Sequence, residues 1–184
     1  MRHLQRPADQ QRRAQERAER VARFAQLTPS SPLEEYLRYL RIGDELRDRA
    51  LAAVHRLDTR QAQAEKLLRE DFGLAVIRNL PVLELRPTPS LCRAANDYLV
   101  RRAANDRPKG ADPAFGTIDD DLQDLLPGLR WMAAQRCDAG RALAALEAAA
   151  LAYPETSYAN NPRLAARRHL DLNDLAGLRR YLGR

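Results

Sequence analysis

The chain has 184 residues. That length suffices for a core burying roughly 70% of the surface an unfolded chain exposes, so no metal or disulfide staple is needed. Net charge is +6, from 31 bases and 25 acids, and every base except Lys66 and Lys109 is arginine. No apolar run approaches the roughly 20 residues that span a bilayer, and the polar, arginine-rich start lacks the apolar stretch of a secretory signal. A cytoplasmic protein is expected.

In chain order, a first helix is predicted from about Pro7 to Leu27. Its first half is polar nearly all round, so residues 1–20 read as a basic, partly mobile helical arm; Val21, Phe24 and Leu27 can dock. A break follows at 28–32. Ser31, Pro32 and Glu34 then make a start signal: Ser31 can cap free backbone N–H groups, Pro32 suits the first turn and Glu34 completes a capping box. Leu33, Tyr36, Leu37, Leu40, Leu46, Ala50, Val54 and Leu57 step by threes and fours, which predicts a helix of about 26 residues. Gly43 falls on this stripe, where it permits a bend or the close approach of another helix. Tyr36 is expected at the rim of the stripe, and Tyr39 off it, beside Arg38 and Arg41.

Asp58 or Thr59 caps a third predicted helix through Phe72, with Leu67, Leu68 and Phe72 facing inward and Gly73 at its end. Residues 75–85 are the one stretch that could hold a strand, although Pro81 interrupts it. After a connector at 80–89, Thr88 and Pro89 open a fourth helix to about Asn105. Residues 105–117, dense in Pro, Gly, Asn and Asp, form the expected flexible loop. A helix led by acids follows, where the macrodipole favours them. Residues 128–152 are read as a long helix with an alanine-dense middle suited to close helix packing, and the tail as two short helices capped near Asn161 and near Asp171 or Asn173. The fold class is therefore all-α: an irregular bundle of about six to seven helices, with residues 21–184 as a single domain behind the basic N-terminal arm.

The excess charge sits at the ends. Residues 1–24 and 158–184 each carry a net +4, which leaves −2 for the middle. Arg12, Arg13, Arg17, Arg20, Arg167, Arg168, Arg179 and Arg180 are the candidate contacts for an anion or nucleic acid, since guanidinium forks pair with phosphate. No recognition motif accompanies them. Cys92 and Cys137 lie 45 residues apart, without metal-ligand or redox spacing, and are expected as buried free thiols, with a disulfide the alternative in an oxidising compartment. His3, His55 and His169 lack the i, i+4 spacing of a zinc helix. Asp119, Asp120, Asp121 and Asp124 read as helix-start and solvated acids, because consecutive helical positions diverge whereas a metal needs convergence. The common phosphate-loop and nucleophile-elbow motifs are absent. No catalytic residue, cofactor or metal site is therefore assigned, and an enzyme is not expected.

Over residues 14–57 the sequence resembles the N-terminal helical segment of the formate dehydrogenase accessory proteins. The matching positions are Arg17, Ala18, Glu19 and Arg20 in an arginine-rich helix, then Pro32, Leu33, Tyr36, Leu37, Arg38 and Tyr39. That family's metal-binding CxxC modules have no counterpart here. The resemblance implies a non-catalytic, partner-binding role in the maturation or assembly of a larger enzyme. The expected function is a helical accessory or adaptor protein that binds a protein partner, with Arg38, Tyr39 and Arg41 as the candidate contact. The alternative is a basic helical nucleic-acid-associated protein.

Overall fold

The computed structural model describes residues 5–70, 72–105, 118–152 and 162–182, and every regular element among them is a helix. The all-α class predicted from the sequence holds. Nine helices are described, more than expected: the predicted 32–57 helix is broken into two and the segment weighed as a strand supplies another, while the two predicted tail helices are one. The chain divides into two compact units, Met1–Asp58 and Thr59–Arg184. The division falls after Asp58, not after residue 20. The expected loop at 105–117 lies outside the described residues except for Asn105.

The first unit contains α1 (Gln5–Ala25), α2 (Leu33–Leu37) and α3 (Arg47–His55). The predicted arm is not separate: its residues from Gln5 onward run unbroken through α1, and Arg17 and Arg20 reach Glu45 and Asp44. The predicted helix across 32–57 is also corrected. It stops after Leu37, turns at Gly43 (φ +82°) and resumes at Arg47. Glycine is suited to that left-handed backbone. The stripe residues are nevertheless buried, Leu33, Leu37, Leu40, Leu46, Ala50, Val54 and Leu57 included. Apolar spacing thus identified the core, though it misjudged the backbone that delivers it. Ser31 does not cap α2; its Oγ accepts the Thr28 N–H at 2.9 Å, and Pro32 holds the cap position.

The second unit contains α4 (Arg60–Arg69), α5 (Gly73–Asn79), α6 (Pro89–Asn105), α7 (Ile118–Ala134), α8 (Gly140–Ala150) and α9 (Pro162–Leu182). α6 packs on α4 and α8, and α7 on α5 and α9. The segment weighed as a strand holds no strand: it is helical to Asn79 and continues as turns over 80–84. Val76, Ile77, Leu80 and Leu83 recur at helical spacing and are fully buried. Phe72, expected inside, is 60% exposed, and Gly73 begins α5 rather than ending α4. α6 starts as predicted, with Thr88 Oγ1 accepting the Leu91 N–H at 3.1 Å and Pro89 in the first turn.

Gly128 lies inside α7 instead of opening a long helix. It allows α7 to meet α5 closely: a Cβ there would sit 2.5 Å from Ile77 Cγ2 and 2.6 Å from the Ile77 carbonyl oxygen. The alanine-dense stretch forms α8, whose Ala142, Ala149 and Ala150 are buried, and it packs against α6. The tail is one continuous helix, not two. Asp171, expected as a cap, is fully buried and accepts a hydrogen bond from Gln123 Nε2 of α7.

Candidate functional site

In the first unit, the end of α1, α2 and the turn after it surround a cleft of about 460 Å³. Arg20, Arg23 and Arg38 line it with Glu35, Leu27 and Tyr39, so basic groups outnumber acidic ones. Arg20 organises one wall. Its guanidinium stands 5.1 Å above the Tyr39 ring, donates to the Arg38 carbonyl at 3.3 Å and pairs with Asp44. The Tyr39 ring meets Phe24 edge-on, with centroids 5.0 Å apart. Such cation–π and edge-to-face contacts each contribute on the order of 1 kcal/mol.

Tyr39 therefore corrects an expectation. It is only 6% exposed and is part of the wall that holds Arg20, not a free contact surface. Tyr36 is likewise more buried than its predicted rim position, and its hydroxyl donates to the Thr28 carbonyl at 2.6 Å. Arg38 and Arg41 are exposed. Arg38 lies 3.4 Å from Glu35 and 3.7 Å from Glu34, whereas the Arg41 guanidinium meets no acid among the described residues.

Beside Arg41 is a residue the sequence reading missed. Ile42 is 96% exposed, the most exposed large apolar side chain described. Gly43 turns the chain directly after it, and Asp44 Oδ1 accepts the Leu46 N–H at 2.9 Å, which fixes the far side of the turn. The Gly43-Asp44 pair was the signal available: read as a turn rather than as a glycine within a helix, it would have set Ile42 at the tip. Arg17 braces the next residue. Its Nε donates to Glu45 Oε1 at 2.8 Å and its Nη2 to Oε2, and these hydrogen bonds, with the Arg17 and Arg20 charges, hold the Glu45 carboxyl below its ordinary pKa.

The other arginines singled out at the ends are largely occupied. Arg12 lies near Asp9 and Glu16 on α1, while Arg13 is exposed with no partner among the described residues. Arg168 departs most from its expected role, being 6% exposed and donating to the Ala150 carbonyl at 3.1 Å. A cation at the C-terminus of α8 is favoured by the helix dipole. Arg167 lies 4.0 Å from Asp171, Arg179 lies 3.0 Å from Glu147, and Arg180 is exposed.

The second unit carries another cleft, of about 530 Å³, beside a disulfide between Cys92 and Cys137. The expected free thiols are thus corrected: α6 and the end of α7 bring the two Cα atoms to 5.3 Å. α7 closes on a Schellman motif. The Arg136 N–H donates to the Ala133 carbonyl at 3.1 Å and the Cys137 N–H to Met132 at 2.9 Å, with Arg136 left-handed at φ +58°. Glycine is the usual residue there, and a side chain at that φ costs about 1–2 kcal/mol. The next helix is started from both sides. Asp138 Oδ1 accepts the Gly140 N–H and buried Asn96 Oδ1 the Ala142 N–H, each at 3.1 Å. Asp124 of α7 pairs with Arg78 at 3.1 Å, while the side chains of Asp119, Asp120 and Asp121 lie outside the described residues. Among the described residues no three His, Cys, Asp or Glu side chains gather as a metal site.

Comparison with protein families, curated proteins and solved structures gives no match.

Among the described residues no helix is long and apolar enough to cross a membrane.

Proposed function

We propose that this chain is a non-catalytic helical accessory protein, which binds a protein partner through the first unit and serves the assembly or maturation of a larger complex. One observation carries the reading. The 38–46 turn holds Ile42 almost fully in solvent next to Arg41, which meets no acid among the described residues, and the first two residues of the turn line a cleft rich in arginine. An exposed apolar side chain with a guanidinium group as its chain neighbour suits a protein surface offering a small hydrophobic pocket edged with carboxylates. The turn is braced by Arg17–Glu45 and Arg20–Asp44, so little ordering cost falls on binding. The resemblance of residues 14–57 to formate dehydrogenase accessory proteins supports the same role.

Nucleic-acid binding by the basic ends has weaker support. Of the eight arginines considered for it, six are engaged within their own units, and Arg168 is buried. The disulfide supports an oxidising compartment over the cytoplasmic one expected from the sequence.

The test is capture from the native host with the full chain carrying a photo-crosslinker in place of Arg41, next to Ile42. One stoichiometric protein partner is expected, its affinity falling at least about tenfold in Ile42→Glu. Recovery of no stoichiometric partner, or undiminished binding by the variant, overturns the proposal. Capture of nucleic acid alone, with affinity falling steeply as salt rises, transfers the role to the basic ends.

A further inference from the structure

The cleft beside the disulfide has a charge pattern that folding alone leaves unexplained. Arg93, Arg136 and Arg141 line it, together with Asp97 and Asp138. Both acids already have partners: Asp97 lies 3.7 Å from Arg141, and Asp138 accepts the Gly140 N–H. Asn96, also in the wall, is taken by the Ala142 N–H. What remains is Arg93 from α6 and Arg136 from the end of α7, two guanidinium groups without an acid or hydrogen-bond partner among the described residues.

Arg136 is the sharper observation. It occupies the left-handed position of the α7 cap, where glycine would meet the same backbone geometry without steric cost. The cap itself makes no use of the guanidinium, because both of its hydrogen bonds come from backbone N–H groups. A strained side chain in a cleft points to a role outside folding. Cys137, the next residue, is tied to Cys92 on the helix that carries Arg93, so the disulfide fixes the spacing of the two arginine-bearing segments.

We propose that this cleft binds a small dianionic ligand, with Arg93 and Arg136 pairing with its oxyanion group. With Asp97 and Asp138 against Arg93, Arg136 and Arg141 the lining carries a net charge of +1, which favours an anion, and the planar forks of Arg93 and Arg136 suit the oxygens of a phosphate monoester or a dicarboxylate. The cleft volume is that of a small-metabolite site.

Inorganic phosphate and succinate, titrated separately into the oxidised full chain at low ionic strength, provide the test. Saturable binding by calorimetry is expected for at least one, and the stronger of the two identifies the oxyanion. Arg93→Gln and Arg136→Gly should each weaken that binding at least tenfold. Arg136→Gly should also raise the melting temperature of the ligand-free protein, by about 2–4 °C, so its loss of binding cannot be ascribed to unfolding. Absence of saturable binding by both anions overturns the proposal, as does binding that survives both substitutions.

Discussion

The two units hold their chains by different means. In the first, the turns around α2 are tied by arginine: Arg17 to Glu45, Arg20 to Asp44 and across Tyr39, and Arg47 to the Leu40 carbonyl at 3.3 Å. In the second, helices meet directly through small residues, notably Gly128 against Ile77 and the alanines of α8, and a disulfide joins α6 to the end of α7. A segment that leaves its helix exposes backbone groups and needs polar partners to fix its course, as the 38–46 turn does. A regular helix satisfies its own backbone and can be held by packing alone. Arg17, Arg20 and Arg47 of the first unit are therefore structural, whereas in the second unit Arg93 and Arg136 line a cleft with no acid or hydrogen-bond partner among the described residues.

The widest separation between the units should come from Gly128→Ala. The added methyl meets a backbone carbonyl that cannot swing aside, so a loss of about 2–3 kcal/mol is expected. Hydrogen exchange should report it as lost protection in α5 and α7, with α2 and α3 unaffected. Equal loss in both units would show that they do not open separately.

Asp44→Ala attacks the polar design of the first unit. The Asp44 side chain is only 2% exposed and holds both the Arg20 guanidinium and the Leu46 N–H. Its removal should cost about 1–2 kcal/mol by chemical denaturation, with faster exchange confined to residues 38–47. An effect within error would leave packing, not arginine bridging, as the main support of the turn.

The smallest effect, and one visible only with pH, belongs to Glu65. Burial pushes its carboxyl pKa up, but hydrogen bonds from Ser90, Gln61 and Thr88 and the Arg69 charge together outweigh burial and leave it below the ordinary 4.5. Its stabilising contribution is therefore fully present above that value and fades as the pH falls through the lowered folded-state pKa. Glu65→Gln should make stability less dependent on pH in this acid range. A denaturation midpoint that varies with pH as in the unaltered chain would remove Glu65 from the account.

Local pattern was enough for much of the fold. The threes and fours from Leu33 to Leu57 named a buried set correctly, and Thr88-Pro89 marked a helix start that the backbone obeys. It was weaker where a residue had two physically acceptable uses. Gly43 fits a helix that bends or a left-handed turn. Asp171 fits a cap or a buried tertiary acceptor, and Arg168 a surface cation or the polar end-piece of α8. The candidate sites were less legible still. Of Arg38, Tyr39 and Arg41, Tyr39 is inside, and Ile42 escaped notice because an isolated isoleucine in a predicted helix carries no mark of exposure.

Composition and apolar spacing by themselves determined the all-α class, the identity of most core residues and the placing of excess charge at the two ends, because each depends on neighbours within a turn or two of helix. Tertiary structure alone decided the pairing of Cys92 with Cys137, the ion pairs of Arg17, Arg20 and Arg179, and the placing of Arg93 and Arg136 in the lining of one cleft. Those outcomes join residues tens of positions apart, and no periodicity along a chain encodes which distant side chains the packing of helices will bring together.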